Sequence, residues 1–162
     1  MILNENFSPE NLQHLIGYSF QGPEILDAAL TRRAYLNENP SKKENFMDPL
    51  ATLGDAILSA VVVYKLYENG NRQMETLTVD KIRDVNRNNT RRFAENHHLQ
   101  EYVHWGEGEK KNEIWRQGNK ALDTAFEALI GAVFLDAQKR DYNGITIVKE
   151  MLERLNFFEP IS

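Results

Sequence analysis

Two short stretches carry the residues whose chemistry is hardest to explain as packing. Residues 50–58 read LATLGDAIL and residues 122–131 read LDTAFEALIG, which sets Asp55 and Glu127 inside apolar helical runs. An ionised carboxylate among apolar side chains is costly unless a cation sits against it. Asp48 lies two helical turns before Asp55 and shares its helix face, with Ala51 between them on the same stripe. Asp123 lies one turn before Glu127 on the second run and shares its face, with Thr124 close by. If the two helices pack together, acids from both converge. Converging carboxylates repel one another unless protonated or metal-bound, and an all-oxygen ligand set suits Mg²⁺ or Mn²⁺. The same spacing also fits two structural acids, Asp55 bonded to a neighbouring backbone and Glu127 paired with an arginine. Spacing alone does not choose between these readings.

The elements that must position these acids read as helices almost throughout. Ser8-Pro9-Glu10 is an N-cap followed by proline at the first helical position, opening a helix through Leu12, Leu15 and Ile16. Pro23 opens a second, with Ile25, Leu26, Ala29 and Leu30 as its apolar positions. Residues 37–45 form a polar loop. A long helix over about 46–68 is apolar around most of its circumference, which predicts the buried central helix, and Asn69-Gly70-Asn71 ends it. Thr78 caps a helix over about 79–96, with Val79, Ile82 and Val85 as its inner stripe. Residues 104–120 are rich in Gly, Trp, Glu and Lys without a period and read as a surface loop. Two further apolar helices follow, over about 120–137 and about 143–156. No alternating strand pattern or internal repeat occurs, so the fold class is all-α.

Bulk properties narrow the class of molecule. The 162 residues, 41% hydrophobic and 27% charged, fit one globular domain over 1–162 with a single sizeable core. The absence of cysteine removes disulfides and Cys-based zinc sites. The apolar run Ala56–Tyr64 is too short to span a bilayer, and the N-terminus lacks a basic segment followed by an apolar one. A cytoplasmic location without membrane contact is the default expectation. A net charge of −5 argues against a protein that coats nucleic acid non-specifically. It leaves room for a nucleic-acid enzyme with an acidic centre and a local basic strip.

The ordered set of segments resembles the catalytic domain of the ribonuclease III family over nearly the whole chain. ATLGDAIL from Ala51 and TAFEALIGAVFLD from Thr124 are similar to its two signature helices. LQHLIGYSF from Leu12 and AALTRRAYLNENP from Ala28 are similar to its first two, and WGEGE from Trp105 and the Asn89-Thr90 pair fall where related segments occur. The resemblance implies a dimeric all-α endonuclease that cuts double-stranded RNA with Mg²⁺. By the same resemblance Asp55 and Glu127 match metal ligands, Glu75 matches an acid near the site, and Asp48 takes the place of an assisting glutamate. Two ligands are replaced, by Ala51 and Thr124, and Thr52 stands where the family inserts an aromatic residue into its dimer partner. Alanine and threonine at those two places, and the absence of an appended double-stranded RNA-binding domain, resemble the compact Mini-III class.

Two expectations follow from the losses. Mg²⁺ needs only one or two protein carboxylates, so Asp55 and Glu127 could hold one ion, with Asp123 or Asp48 compensating. The alternative is an inactive RNA-binding or scaffold protein of the same fold. For RNA contact, Arg83, Arg87 and Arg91 recur one helical turn apart, with Lys81 and Arg92 beside them. A solvated face balanced by Asp80 and Asp84 fits the same pattern. Lys110 and Lys111, with Arg116 and Lys120, form a second basic segment, where Trp105 and Trp115 either stack on bases or anchor the loop. His97 and His98 diverge on a helix and read as surface residues. Without a dedicated binding domain, an accessory RNA-binding protein is an expected partner.

Overall fold

The computed structural model describes residues 5–42, 45–84, 87–116 and 120–158, except for the side chains of Glu5, Val79, residues 81–84, Arg87 and Asn88. Among the described residues there are nine α-helices: α1 Pro9–Ile16, α2 Pro23–Leu30, α3 Arg33–Glu38, α4 Met47–Glu68, α5 Met74–Asp84, α6 Arg87–Asn96, α7 Glu107–Lys111, α8 Ala121–Lys139 and α9 Gly144–Arg154. No strand occurs among them. The one β pairing among the described residues is an isolated bridge in which Leu30 and Arg32 exchange backbone hydrogen bonds with His104 at 2.8 and 3.2 Å. The all-α expectation holds.

Local chemistry explains where the helices begin. Ser8 caps α1 by accepting from the Asn11 amide at 3.1 Å, with Pro9 behind it. The Asn143 side chain does the same for α9 by accepting from the Thr146 amide. Thr78 is not a cap. It lies inside α5, and its hydroxyl donates to the Met74 carbonyl one turn back at 2.9 Å, the alternative use of a helical threonine. The segment 104–120 is not a bare loop either. Glu107–Lys111 closes a short helix, with the Glu109 carboxylate accepting from the Gly106 amide at its start.

The centre of the molecule is α8, not α4. Helices α2, α4, α6 and α9 all pack against α8, and Ala125, Ala128, Gly131 and Ala132 keep its surface small enough for close approach. Helix α4 buries Met47, Ala51, Gly54, Leu58, Val61 and Val62 but leaves Thr52, Ala56, Ala60, Tyr64 and Tyr67 exposed. Its 22 residues are long and apolar enough in composition to cross a membrane, yet here they form one wall of the core. Helix α9 is tied to α4 by Lys65–Glu153 at 2.5 Å and Lys149–Glu68 at 2.6 Å.

One buried polar group fastens the N-terminal segment to α8. Asp136 is only 4% exposed. Its carboxylate accepts from the Tyr18 hydroxyl at 2.6 Å and the Gln21 amide at 3.2 Å, with the Arg140 guanidinium 3.6 Å away. Burial, then the Asp136 carboxylate, pushes the Tyr18 phenol up to about 12. Tyr18→Phe removes a donor from a buried carboxylate, and the expected loss is about 1–3 kcal/mol in urea unfolding.

His97 is half-buried rather than a surface residue, its ring 4.5 Å from that of Phe93. Burial holds its titration below the ordinary histidine value, against an opposing hydrogen bond with the Leu155 backbone. Because the folded value is lower, the unfolded chain takes up the proton first as pH falls. The stability tied to neutral His97 is therefore complete above about pH 6.5 and lost as pH drops through the lowered value. Urea midpoints should fall on acidification across that window, and less steeply in His97→Gln.

Candidate functional site

The site begins with two glycines. A methyl group placed on Gly54 would overlap the Glu127 carbonyl and lie 2.9 Å from the Gly131 amide nitrogen. One placed on Gly131 would overlap the Leu50 carbonyl. Helices α4 and α8 thus cross backbone to backbone, an approach that a side chain at either glycine forbids. Asp55 follows Gly54 directly, and Glu127 is the residue whose carbonyl Gly54 meets. The crossing brings the main chain of these two acids to one place.

Their environments differ from the sequence expectation. Asp55 is exposed and Glu127 half-buried, so neither carries the full cost of a buried charge. Asp48 is also exposed, with the Arg33 guanidinium 3.7 Å from its carboxylate. Asp123 is 4% exposed and belongs to the interior of the helix bundle. Glu75 is exposed in the first turn of α5, which packs on α4. The proposed trio Asp55, Glu127 and Asp123 is not gathered: among the described residues no three Asp, Glu or His side chains form a metal-holding group. The physical reason is that Asp123 faces the core while Asp55 faces solvent.

Ala51 and Thr124 add no carboxylate to the crossing. Ala51 is buried beside Gly54. The Thr124 hydroxyl donates to the Lys120 carbonyl at 2.6 Å, which uses its proton within α8.

The basic candidates are divided. The side chains of Arg83 and Arg87 lie outside the described residues. Arg91 is engaged, pairing with Glu95 at 2.9 Å and donating to the Arg116 carbonyl at 3.3 Å. Lys110 pairs with Glu107 at 2.9 Å, while Lys111 is exposed. Trp105 anchors its segment: it is 3% exposed, donates to the Gln100 carbonyl at 2.9 Å and lies 5.1 Å from the Trp115 ring. Sequence reasoning missed the Tyr18–Asp136 contact. Its one visible signal is an aspartate late in an apolar helix.

An all-helical domain whose two main helices cross at glycines, with an acid from each at the crossing, defines a class, and comparison with known proteins identifies it. Residues 22–155 match the Ribonuclease-III-like family model. Ribonuclease 3 of Listeria innocua is 36% identical over 151 residues, covering 91% of this chain and 62% of that protein. Ribonuclease 3 of Ligilactobacillus salivarius is 32% identical over 134 residues, covering 80% of this chain and 57% of that protein. Among solved structures, the nuclease domain of Campylobacter jejuni ribonuclease III superimposes with a TM-score of 0.77 at 26% identity, covering 91% of this chain and 95% of the domain. That structure shows flexibility in a region involved in its dimer formation. The chain belongs to the ribonuclease III-like family. It spans about three-fifths of the length of the curated relatives it matches.

Gly54→Ala forces the crossing apart at backbone atoms, and a loss of about 3 kcal/mol in urea unfolding is expected. Gly108 in α7 is the control. A methyl group there meets nothing within 4 Å, so Gly108→Ala should leave the midpoint unchanged or raise it.

Proposed function

We propose that this protein is a metal-dependent endoribonuclease acting on double-stranded or structured RNA, with Asp55 and Glu127 as its metal-holding pair. The observation that carries this reading is the Gly54–Glu127 backbone contact, which sets the main chain beside an exposed aspartate against that of a half-buried glutamate from a second helix, in a ribonuclease III-like fold. Two carboxylate donors with water completing the shell suit Mg²⁺, with Mn²⁺ as an alternative. A bound ion would polarise the scissile phosphate and lower the pKa of an attacking water. Asp48 holds the Arg33 guanidinium on the same side of α4, where it supplies positive charge for a phosphate. Glu75, exposed on the adjoining α5, stands ready to orient water. Lys111, an exposed basic side chain, is available for solvent-side RNA contact.

Ala51 and Thr124, neither offering a carboxylate, support a reduced site of the Mini-III kind. Dimerisation through the open side of α4 is part of the proposal, supported by the exposed Ala56, Ala60, Tyr64 and Tyr67. A second reading, an inactive RNA-binding scaffold, is favoured by the absence of a three-carboxylate group among the described residues.

The deciding assay incubates the purified protein with double-stranded RNA and Mg²⁺ or Mn²⁺. Cleavage should occur, and Asp55→Asn or Glu127→Gln should slow it by roughly 10²- to 10³-fold, the loss of several kcal/mol of metal-derived stabilisation. RNA bound but uncut by the unaltered protein with either metal establishes the scaffold reading instead.

A further inference from the structure

A second concavity lies away from the acid pair. It is a groove of about 1170 Å³ bounded by the segment before α1, by α1 to α3, and by residues 100–115; its described lining draws nothing from α4 or α8. Its walls are aromatic, with Phe7, Phe20, Tyr35, Tyr102, Trp105 and Trp115 contributing. Tyr35 stacks on His104 at 5.4 Å, and Phe7 meets Tyr102 edge to face at 5.3 Å, so the walls are pre-organised. The volume exceeds the roughly 300–1,000 Å³ of a typical small-molecule site. It suits several large side chains entering together.

The polar groups choose the charge of the occupant. Glu10, Glu24, Asp27 and Glu101 line the groove, against Lys110 as the one lysine or arginine of the described lining. Lys110 is itself paired with Glu107. Glu10, Glu24 and Glu101 are exposed and free to meet an incoming cation. Burial lowers the titration of His104 and so favours its neutral ring. A phosphate-bearing ligand would meet repulsion here, and a cationic one attraction.

We infer that this groove docks a segment of a partner protein in which apolar anchor side chains alternate with lysine or arginine. The anchors fill the aromatic walls and the cations meet the rim carboxylates. The inference stands independently of the nuclease reading, because the two sites share no described residue.

The molecule carries its own reporter, since its only two tryptophans, Trp105 and Trp115, both line the groove. The probe is a synthetic peptide of leucines and lysines without tryptophan, compared with a twin carrying glutamate for every lysine. Titration of the full chain with the lysine peptide should change tryptophan emission saturably, while the twin should produce no change. Combined Glu10→Gln, Glu24→Gln and Glu101→Gln, all at exposed positions, should weaken the lysine peptide at least about tenfold, with the far-ultraviolet circular dichroism unaltered. Equal binding of both peptides, or undiminished binding by the triple variant, overturns the inference. So does an emission change caused by a short double-stranded RNA where the lysine peptide causes none, because the groove would then belong to nucleic acid.

Discussion

The contact on which the rest of the structure depends is the crossing of α4 and α8 at Gly54 and Gly131. Carbonyl oxygens of each helix lie where a side chain of the other would begin. Such an approach maximises contact between the two longest helices, and it fixes their axial register, because only one pair of positions lacks a Cβ. Register determines everything else at this place. A slip of one residue would remove Asp55 from Glu127 and set bulkier neighbours of the glycines against carbonyls.

The surrounding contacts hold that register from outside. Helix α9 clamps the far end of α4 through two ion pairs, at a position where the lysine ammonium groups also lie over the rings of Phe158 and Tyr64. Such partly exposed pairs contribute little individually. Their value here is orientation. Asp136 is different in kind, because a buried carboxylate must be satisfied wherever the chain places it. Its partners Tyr18 and Gln21 come from the turn between α1 and α2, so the helix at the centre dictates where the N-terminal segment lies.

Much of this was legible in the sequence, and for physical reasons. Caps and prolines act locally, so the starts of α1 and α2 could be read from Ser8, Pro9 and Pro23. The two apolar runs identified α4 and α8, and the glycine in each was the trace of their contact. Which of the two is central was not legible, since both are apolar around most of their circumference. The answer depends on how much of each circumference its neighbours cover: both helices touch four others, but α8 is buried along most of its length while the tyrosines of α4 remain outside. Thr78 misled for a related reason: a threonine hydroxyl bonds equally well forward as a cap or backward within a helix. The aromatic groove was illegible because Phe7, Tyr35 and Trp115 belong to separate segments and meet only in the folded chain.

The acid pair shows where sequence reasoning and geometry diverge most usefully. Asp123 and Glu127 share a helix face by spacing, yet one is interior and the other half-exposed, because the boundary of the core runs between them. Spacing specifies an angle around the axis, whereas exposure also depends on where along that axis a neighbouring helix ends. Asp123 is thus held in the interior, and among the described residues no three acids form a metal-holding group. On the proposed reading, positions 51 and 124 add no carboxylate to the pair, and the remaining oxygen donors to an ion held by Asp55 and Glu127 would be water or a ligand's own phosphate. Occupancy of a site built in that way would depend on substrate, the opposite of a preformed metal cage.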